Sequence, residues 1–520
     1  MKSNSSKHYT IFTPFKTMCF IPDHYSVVLD NAEDLAEQGN KIDLVYCDGK
    51  AIRNCIYNCY GDKKVCKACV SYQHYFHRHI THKDEIKAIP ISKFFKPEMI
   101  DFDQFAKSLK YNTIEDIKEI THKGAHIGLA AVSSYLTLSR NLYPLIDDEF
   151  REFMNRYLFM SARTTDLVDE VINQLHPDSV SCFNGRLICN RPIVDLCINK
   201  GMQFQTYEVG YNEENRINKK IFYNNLPHDP DVNTLMINEL WESEGKSKEE
   251  RIATAKRFFE KRRNAIVSGD KVAYTKNQSI GLLPEDWDKS KINISIFNSS
   301  EDEFASLGEK FAKLSLFPNQ ITGIKYIFEK FKDNDEIHFY LRIHPNLTHV
   351  KYKYHKNLYE LNKYKNVTII PADSKISTYT LIDNSDKIVV FGSSVGFEAA
   401  YANKPVILLG CTMYRDLGIC HVAHTTDELD KYILDKNLKP LDNLGALKYA
   451  YFLVNSEFPL PKYFADHKKS TKKIFGKKFI LTRSIISNSS LSPYISYLYQ
   501  IIGKYLWSKS KCEYPTKERE

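Results

Sequence analysis

The stretch KIVVFGSSVGFEAAYANKPVILLG, residues 387–410, sets a Gly-Ser-Ser turn between an apolar strand-like run, Ile388–Phe391, and a short helix-like segment with one acid, Glu398. A strand that turns straight into a helix presents backbone N–H groups and the positive end of the helix dipole to whatever lies beyond, and a phosphate fits there. The hydroxyls of Ser393 and Ser394 add donors, and Gly392 and Gly396 allow close backbone approach. The same residues also describe a Ser-capped start of an ordinary buried helix. Glu398, four residues after Ser394, reaches back toward a sugar hydroxyl beyond the phosphate. Upstream, LRIHPN ends another strand-like run with Arg342, His344 and Pro345. The separation of His344 from Ser393 is that of one βαβ unit plus a helix, so the two strand ends are expected to be neighbours. IFNSSEDEF offers Asn298, Ser299 and Ser300 as a second turn facing the same crevice, or as an acidic N-capped helix start. Arg342 and Arg415 are candidate phosphate cations, with a surface role as the alternative.

These residues need strand ends to hold them. YTIFTPF, HYSVVLDNAEDLAEQG and KIDLVYCDG read as strand, helix and strand, a βαβ opening. A Cys/His-rich insertion (47–82) and long helical patterns (101–121 and about 125–178) follow. SVSCFNGRL and MQFQTYEVG then flank a helical RPIVDLCINKG. A charged stretch from about 243 to 291 reads as helical and highly solvated, with a hinge near its end. A second α/β series starts at KINISIFNSS. Its expected order is a helix over 301–332, strands at IHFYLRIHP and NVTIIP, a helix at KISTYTLIDNS, and the two strands of 387–410. The expected fold class is α/β, two Rossmann-like domains facing a cleft, with ligands at the carboxyl ends of the strands. The expected limits are 1–285, 286–460 and a basic amphipathic helical tail, 461–520.

Bulk properties agree with a folded chain of more than one domain. It has 520 residues, of which 43% are hydrophobic and 26% charged, with 33 Tyr and 30 Phe. A net charge of +8 spread over 72 bases and 64 acids is mild. It suits anionic small molecules or an anionic membrane surface, and no nucleic-acid signature accompanies it. The opening MKSNSSKHYT has no apolar h-region and no apolar run approaches the length of a membrane span, so a cytoplasmic location is expected.

RIHP followed by TLIDNSDKIVVFGSSVGFEAAYANKPVILLG resembles the nucleotide-binding half of GT-B-fold glycosyltransferases of bacterial surface polysaccharide synthesis. The likeness is to capsule-type enzymes with paired His-Pro and Ser-Ser motifs. Related motif pairs occur in bacterial sialyltransferases, Kdo transferases and teichoic-acid glycerophosphotransferases, which use cytidine-nucleotide donors. The resemblance covers about 290–425. It is looser over CFNGRL, RPIVDLCINKG and YEVG, which are similar to the acceptor half of surface-carbohydrate proteins. It implies that His344 contacts the nucleotide, that Ser393 and Ser394 hold phosphate, and that Glu398 binds ribose.

Sugar transfer needs a base for the acceptor hydroxyl and compensation for charge developing on the leaving phosphate. The dipole end at Ser394 supplies the second. No Asp-x-Asp stands in a strand-end context, so metal-free chemistry is expected. The base should face the cleft from the N-terminal half. Glu208 in TYEVG is the first candidate, followed by Asp23 and His228, and each also fits a structural role. Asn184 and Arg186 in FNGR are candidate positioning residues on the acceptor side, although Asn-Gly is also a plain turn signal. Expected partners are a nucleotide-sugar donor and a glycan or lipid-linked glycan acceptor. A nucleotide-sugar 2-epimerase, a CDP-polyol phosphotransferase and a non-catalytic polysaccharide-assembly protein are the alternatives on the same fold.

Residues 47–82 place Cys47, Cys55, Cys59, Cys66 and Cys69 ahead of His74, His77, His79 and His82. Cys66 and Cys69 have chelating spacing. With Cys55 and Cys59 they could complete a structural four-thiolate zinc site that pins a loop; reduced structural thiols are the alternative. In the tail, KYFADHKKSTKKIFGKKFIL and the amphipathic SPYISYLYQIIGKYLW suit contact with an anionic inner-membrane leaflet, or packing across the two domains.

Overall fold

The structure is a computed structural model that describes residues 6–13, 22–213, 217–243, 245–269, 273–301, 304–454, 463–474, 477–486, 491–510 and 514–519. Its first sheet contains β1 (His8–Phe12), β2 (Lys41–Tyr46), β3 (Ile86–Pro90), β4 (Ser179–Phe183), β5 (Gln203–Tyr211) and β6 (Ile217–Tyr223), in the order β3-β2-β1-β4-β5-β6. The second contains β7 (Ile292–Phe297), β8 (Ile337–Arg342), β9 (Val367–Ile370), β10 (Lys387–Val390), β11 (Val406–Leu408) and β12 (His421–Val422), in the order β12-β11-β10-β7-β8-β9. Counted from its own first strand, each sheet follows the doubly wound order 3-2-1-4-5-6, whose direction reverses between the first and fourth strands and opens a crevice at their carboxyl ends. The two Rossmann-like units expected from the α/β alternation are present. Both sheets are parallel throughout except where β6 runs antiparallel to β5.

The sequence of β10, KIVV, is buried at every position because helices cover both faces of the sheet. Register aligns the strand ends. Val390 of β10 pairs with Phe297 of β7, which pairs with Arg342 of β8. The segments that leave these three strands, beginning at Phe391, Asn298 and Ile343, therefore emerge side by side.

Several expectations are corrected. The Cys/His-rich segment contains the helix Lys63–His77 between the neighbouring parallel strands β2 and β3, so it serves as a crossover of the doubly wound fold. The pattern over 125–178 divides into Ile127–Ser139 and Asp148–Leu175, because Arg140 closes the first helix in the left-handed region. The charged helix Lys248–Arg263 is not wholly solvated. It buries Ala255, Phe258 and Phe259 in the same core as Ile388 and Phe397 of the second unit, and Ile237 of the preceding helix joins them. The tail is not all helix: β13 (Tyr463–Ile474) and β14 (Lys477–Ile486) form an antiparallel hairpin before the helix Ser492–Trp507.

Candidate functional site

At the reversal point of the second sheet, Asn298 leaves β7 and its Oδ1 accepts the backbone N–H of His344 at 2.8 Å, stitching the ends of β7 and β8 together. The Nδ1 of His344 accepts the Asn346 amide at 3.1 Å, so a neutral ring carries its proton on Nε2, free to donate. Burial, then Arg140, Arg342 and Arg262, lowers the His344 pKa to about 4. The imidazole is therefore neutral near pH 7. Pro345 follows as the first residue of a short 3-10 turn.

The turn after β10 stands beside this pair. Gly392 has φ +124°, and a Cβ there would meet the Cys411 carbonyl oxygen at 2.8 Å. Gly396 makes room for the Tyr414 hydroxyl rather than for a ligand. Ser393 is buried, and its carbonyl accepts from Tyr414; Ser394 is exposed. The carboxylate of Glu398, only 5% exposed, points inward: one oxygen pairs with Arg262 Nη2 at 2.9 Å and the other accepts from the Tyr379 hydroxyl. Arg262 Nη2 also approaches Ser394 Oγ at 3.4 Å. No local pattern singles out Arg262, which stands in the KRR cluster that closes the charged helix.

Ser299 is docked on Gln320: its N–H donates to the amide oxygen at 2.8 Å, and its Oγ accepts from Nε2 at 3.0 Å. Ser300 and Glu301 line a small recess with Asn298, Ser299 and Arg140. Burial raises the Glu301 pKa to about 7. Arg140 donates to the Asn346 carbonyl at 3.3 Å, bringing a cation from the first unit to the His-Pro corner. No spacing rule would have found it, because it reaches the site by closing a helix in the left-handed region. Arg342 turns away: its guanidinium is buried and donates to the carbonyls of Pro371 and Ser374, tying down the chain after β9. Arg415 is buried in the chain after β11, 3.8 Å from Asp416.

On the first sheet, Phe183 pairs with Tyr207, so Glu208 is the first residue of β5 past the parallel ladder and faces Lys220 of β6. Asn184, with φ +58°, donates its side-chain amide to Glu208. Arg186 is buried and bonds the hydroxyls of Ser133 (2.8 Å) and Thr137 (3.0 Å). His228 is buried against Phe304, and burial followed by Arg186 pushes its pKa down to about 3, which makes it a weak base. Asp23 lies buried in the first turn of the helix Pro22–Glu37. The structure therefore brings Asn184 close to Glu208 and Arg186 close to His228, and Asp23 is not among the contacts of either pair.

The cysteines divide differently from the expected set. Cys59 is disulfide-bonded, whereas Cys47, Cys55, Cys66 and Cys69 line one recess. Burial pushes the Cys66 thiol up to about 12 and raises that of Cys47 further. Among the described residues, no group of three or more His, Cys, Asp or Glu side chains is placed to hold a metal ion. Two of the histidines pair elsewhere, His77 with the Tyr25 hydroxyl at 2.5 Å and His82 with Glu33.

The fold is a pair of doubly wound α/β units, and one reversal point gathers a Ser-rich turn, a neutral histidine and arginines, an arrangement that can receive an anionic ligand between strand ends. Residues 313–442, a quarter of the chain, match the family described as capsule polysaccharide biosynthesis protein. The capsule polysaccharide modification protein LipA of Neisseria meningitidis serogroup B is 23% identical over 175 residues, 32% of this chain and 24% of that protein. The chain thus spans about a quarter of that relative's length. Among solved structures, the beta Kdo 2,4 transferase KpsC of Thermosulfurimonas dismutans is 14% identical with a TM-score of 0.35, covering 64% of this chain and 87% of its own. The MnaA–UDP structure from S. aureus is 12% identical with a TM-score of 0.25, covering 88% and 99%. The fold assignment rests on the strand order described above.

Proposed function

We propose that the chain transfers a sugar from a nucleotide-activated donor to a growing capsule-type surface glycan, with the donor phosphate lying across the carboxyl ends of β10, β7 and β8. The observation that carries this reading is the convergence of the Gly392–Ser394 turn, the Nε2–H of His344 and the Arg262 guanidinium at that reversal point. The capsule-biosynthesis match over 313–442, which spans β8 to β12, supports it.

In this reading Arg262, His344 and Ser394 compensate the charge that grows on the leaving phosphate. In the same reading the role of Glu398 is indirect, through its carboxylate's contacts with the protein. That carboxylate holds Arg262 in place, assisted by Tyr379. Glu208 takes the proton of the acceptor hydroxyl, and Asn184 fixes its carboxylate through a side-chain hydrogen bond. The acceptor is a glycan or lipid-linked glycan lying along the first sheet.

The test is a thermal-shift series with CMP, CDP, UDP and GDP. A nucleotide that binds only the folded state at 100 times its Kd adds about 2.7 kcal/mol of stability. At least one should raise the melting temperature, and turnover of the cognate nucleotide sugar should require an added acceptor. If none shifts melting, or if the sugar is converted without acceptor, the transferase reading fails.

A further inference from the structure

The helix Ser492–Trp507 is amphipathic in the wrong sense for a surface helix. Its inward face carries Ser496 and Gln500, both fully buried, against the helix Lys63–His77, where Tyr499 stacks on Tyr72 at 5.1 Å. Trp507 anchors the far end by donating to the Tyr57 carbonyl at 2.7 Å. The outward face carries Tyr494 (71% exposed), Ile495, Leu498 (56%) and Ile502, with Leu491 just before the first turn. Positions three and four apart share one side of a helix, so these residues form a single apolar stripe. A run of large apolar side chains left outward on one side of a helix signals a partner that covers the stripe.

Charge identifies the partner. The hairpin strand β14 packs on this helix. Together β13 and β14 carry six lysines and one arginine against a single acid, Asp466, and the helix adds Lys504 with no acid. A second copy seated face to face would set two basic hairpins against each other. An anionic bilayer offers acyl chains to the stripe and phosphates to the lysines. No helix among the described residues is long and apolar enough to cross a membrane, which leaves the in-plane geometry. We infer that the stripe Leu491–Ile502, flanked by the β13–β14 hairpin, is a docking surface for an anionic lipid bilayer.

The test uses the full chain and sedimentation with phosphatidylglycerol/phosphatidylcholine vesicles or with pure phosphatidylcholine vesicles. The protein should partition onto the anionic vesicles and be released as salt rises. Leu498→Glu combined with Ile502→Glu should lower partition by about tenfold or more and leave any nucleotide-induced melting shift unchanged, which separates this inference from the donor reading. If that variant fails to fold, Lys472→Glu with Lys473→Glu should lower partition comparably. Equal binding to neutral vesicles, no binding to either, or a dimer in light scattering that the double variant dissociates would overturn the proposal.

Discussion

The two reversal points share a strand order and differ in what meets the crevice. In the second sheet, the segments leaving β10 and β8 present an exposed serine hydroxyl and a neutral imidazole N–H, and the end of the helix Lys248–Arg263 adds an arginine held from behind by a buried acid. In the first sheet, the segments leaving β4 and β5 present Asn184 locked on Glu208 and a buried Arg186 bonded only to neutral hydroxyls. One side is built of donors and suits an anion. The other ends in a positioned carboxylate, which suits removal of a proton. Fold alone does not separate these roles, since both sheets offer the same crevice; the side chains just past the last ladder pair do.

The sharpest way to break this contrast is Arg262→Ala. It leaves the Glu398 carboxylate buried and unpaired, a change that costs about 3–5 kcal/mol. Chemical denaturation should show that loss, and the nucleotide-induced melting shift should vanish. Pairing Arg262→Met with Glu398→Gln removes both charges and should recover most of the stability without recovering the shift. A variant that regained both would remove Arg262 from the site. Next in size is Glu208→Gln, which keeps the Asn184 contact and removes the basic oxygen. Acceptor-dependent turnover should fall about 10²–10⁴-fold while the melting shift stays as in the parent. A loss of nucleotide binding in this variant would mean that the two edges do not divide the work.

Acid separates the two sides again. His228 is depressed to about 3 and His344 to about 4, both below the ordinary value of 6.5. In the window between these values and 6.5, the unfolded chain binds protons that the folded chain refuses, so stability falls as pH drops through it. Replacing His228 with Asn should flatten this acid limb in denaturation curves and leave nucleotide binding intact. His344→Ala should flatten the limb and abolish the melting shift.

Much of this was legible in the sequence where local pattern and function coincide. The strand-turn-helix at 387–401 and the strand ending in RIHP were placed correctly because buried parallel strands leave unbroken apolar runs. Arg140 and Arg262 could not be read in advance, because each reaches the site by tertiary packing from a helix end far along the chain. Arg342 misled for the converse reason: its position at the end of β8 is that of a ligand-facing residue, yet its side chain turns to backbone carbonyls after β9. Glu398 was located correctly on its helix, but period alone could not say that it faces inward onto an arginine.

The smallest expected effect tests the most exposed member of the donor edge. Ser394 lies 3.4 Å from Arg262 Nη2, at the long limit of a hydrogen bond, so the contact adds little to the fold. Ser394→Ala should leave the melting temperature of the ligand-free protein within error and weaken nucleotide affinity by about three- to tenfold, the worth of one ordinary hydrogen bond at an exposed site. The buried Ser393, whose hydroxyl accepts the Val395 amide at 3.4 Å, supplies the contrast. Ser393→Ala should lower the ligand-free melting temperature and change affinity less. If the two serines exchanged these behaviours in calorimetric titration, the phosphate would lie on the buried side of the turn, and Arg262 would be too far outside to serve it.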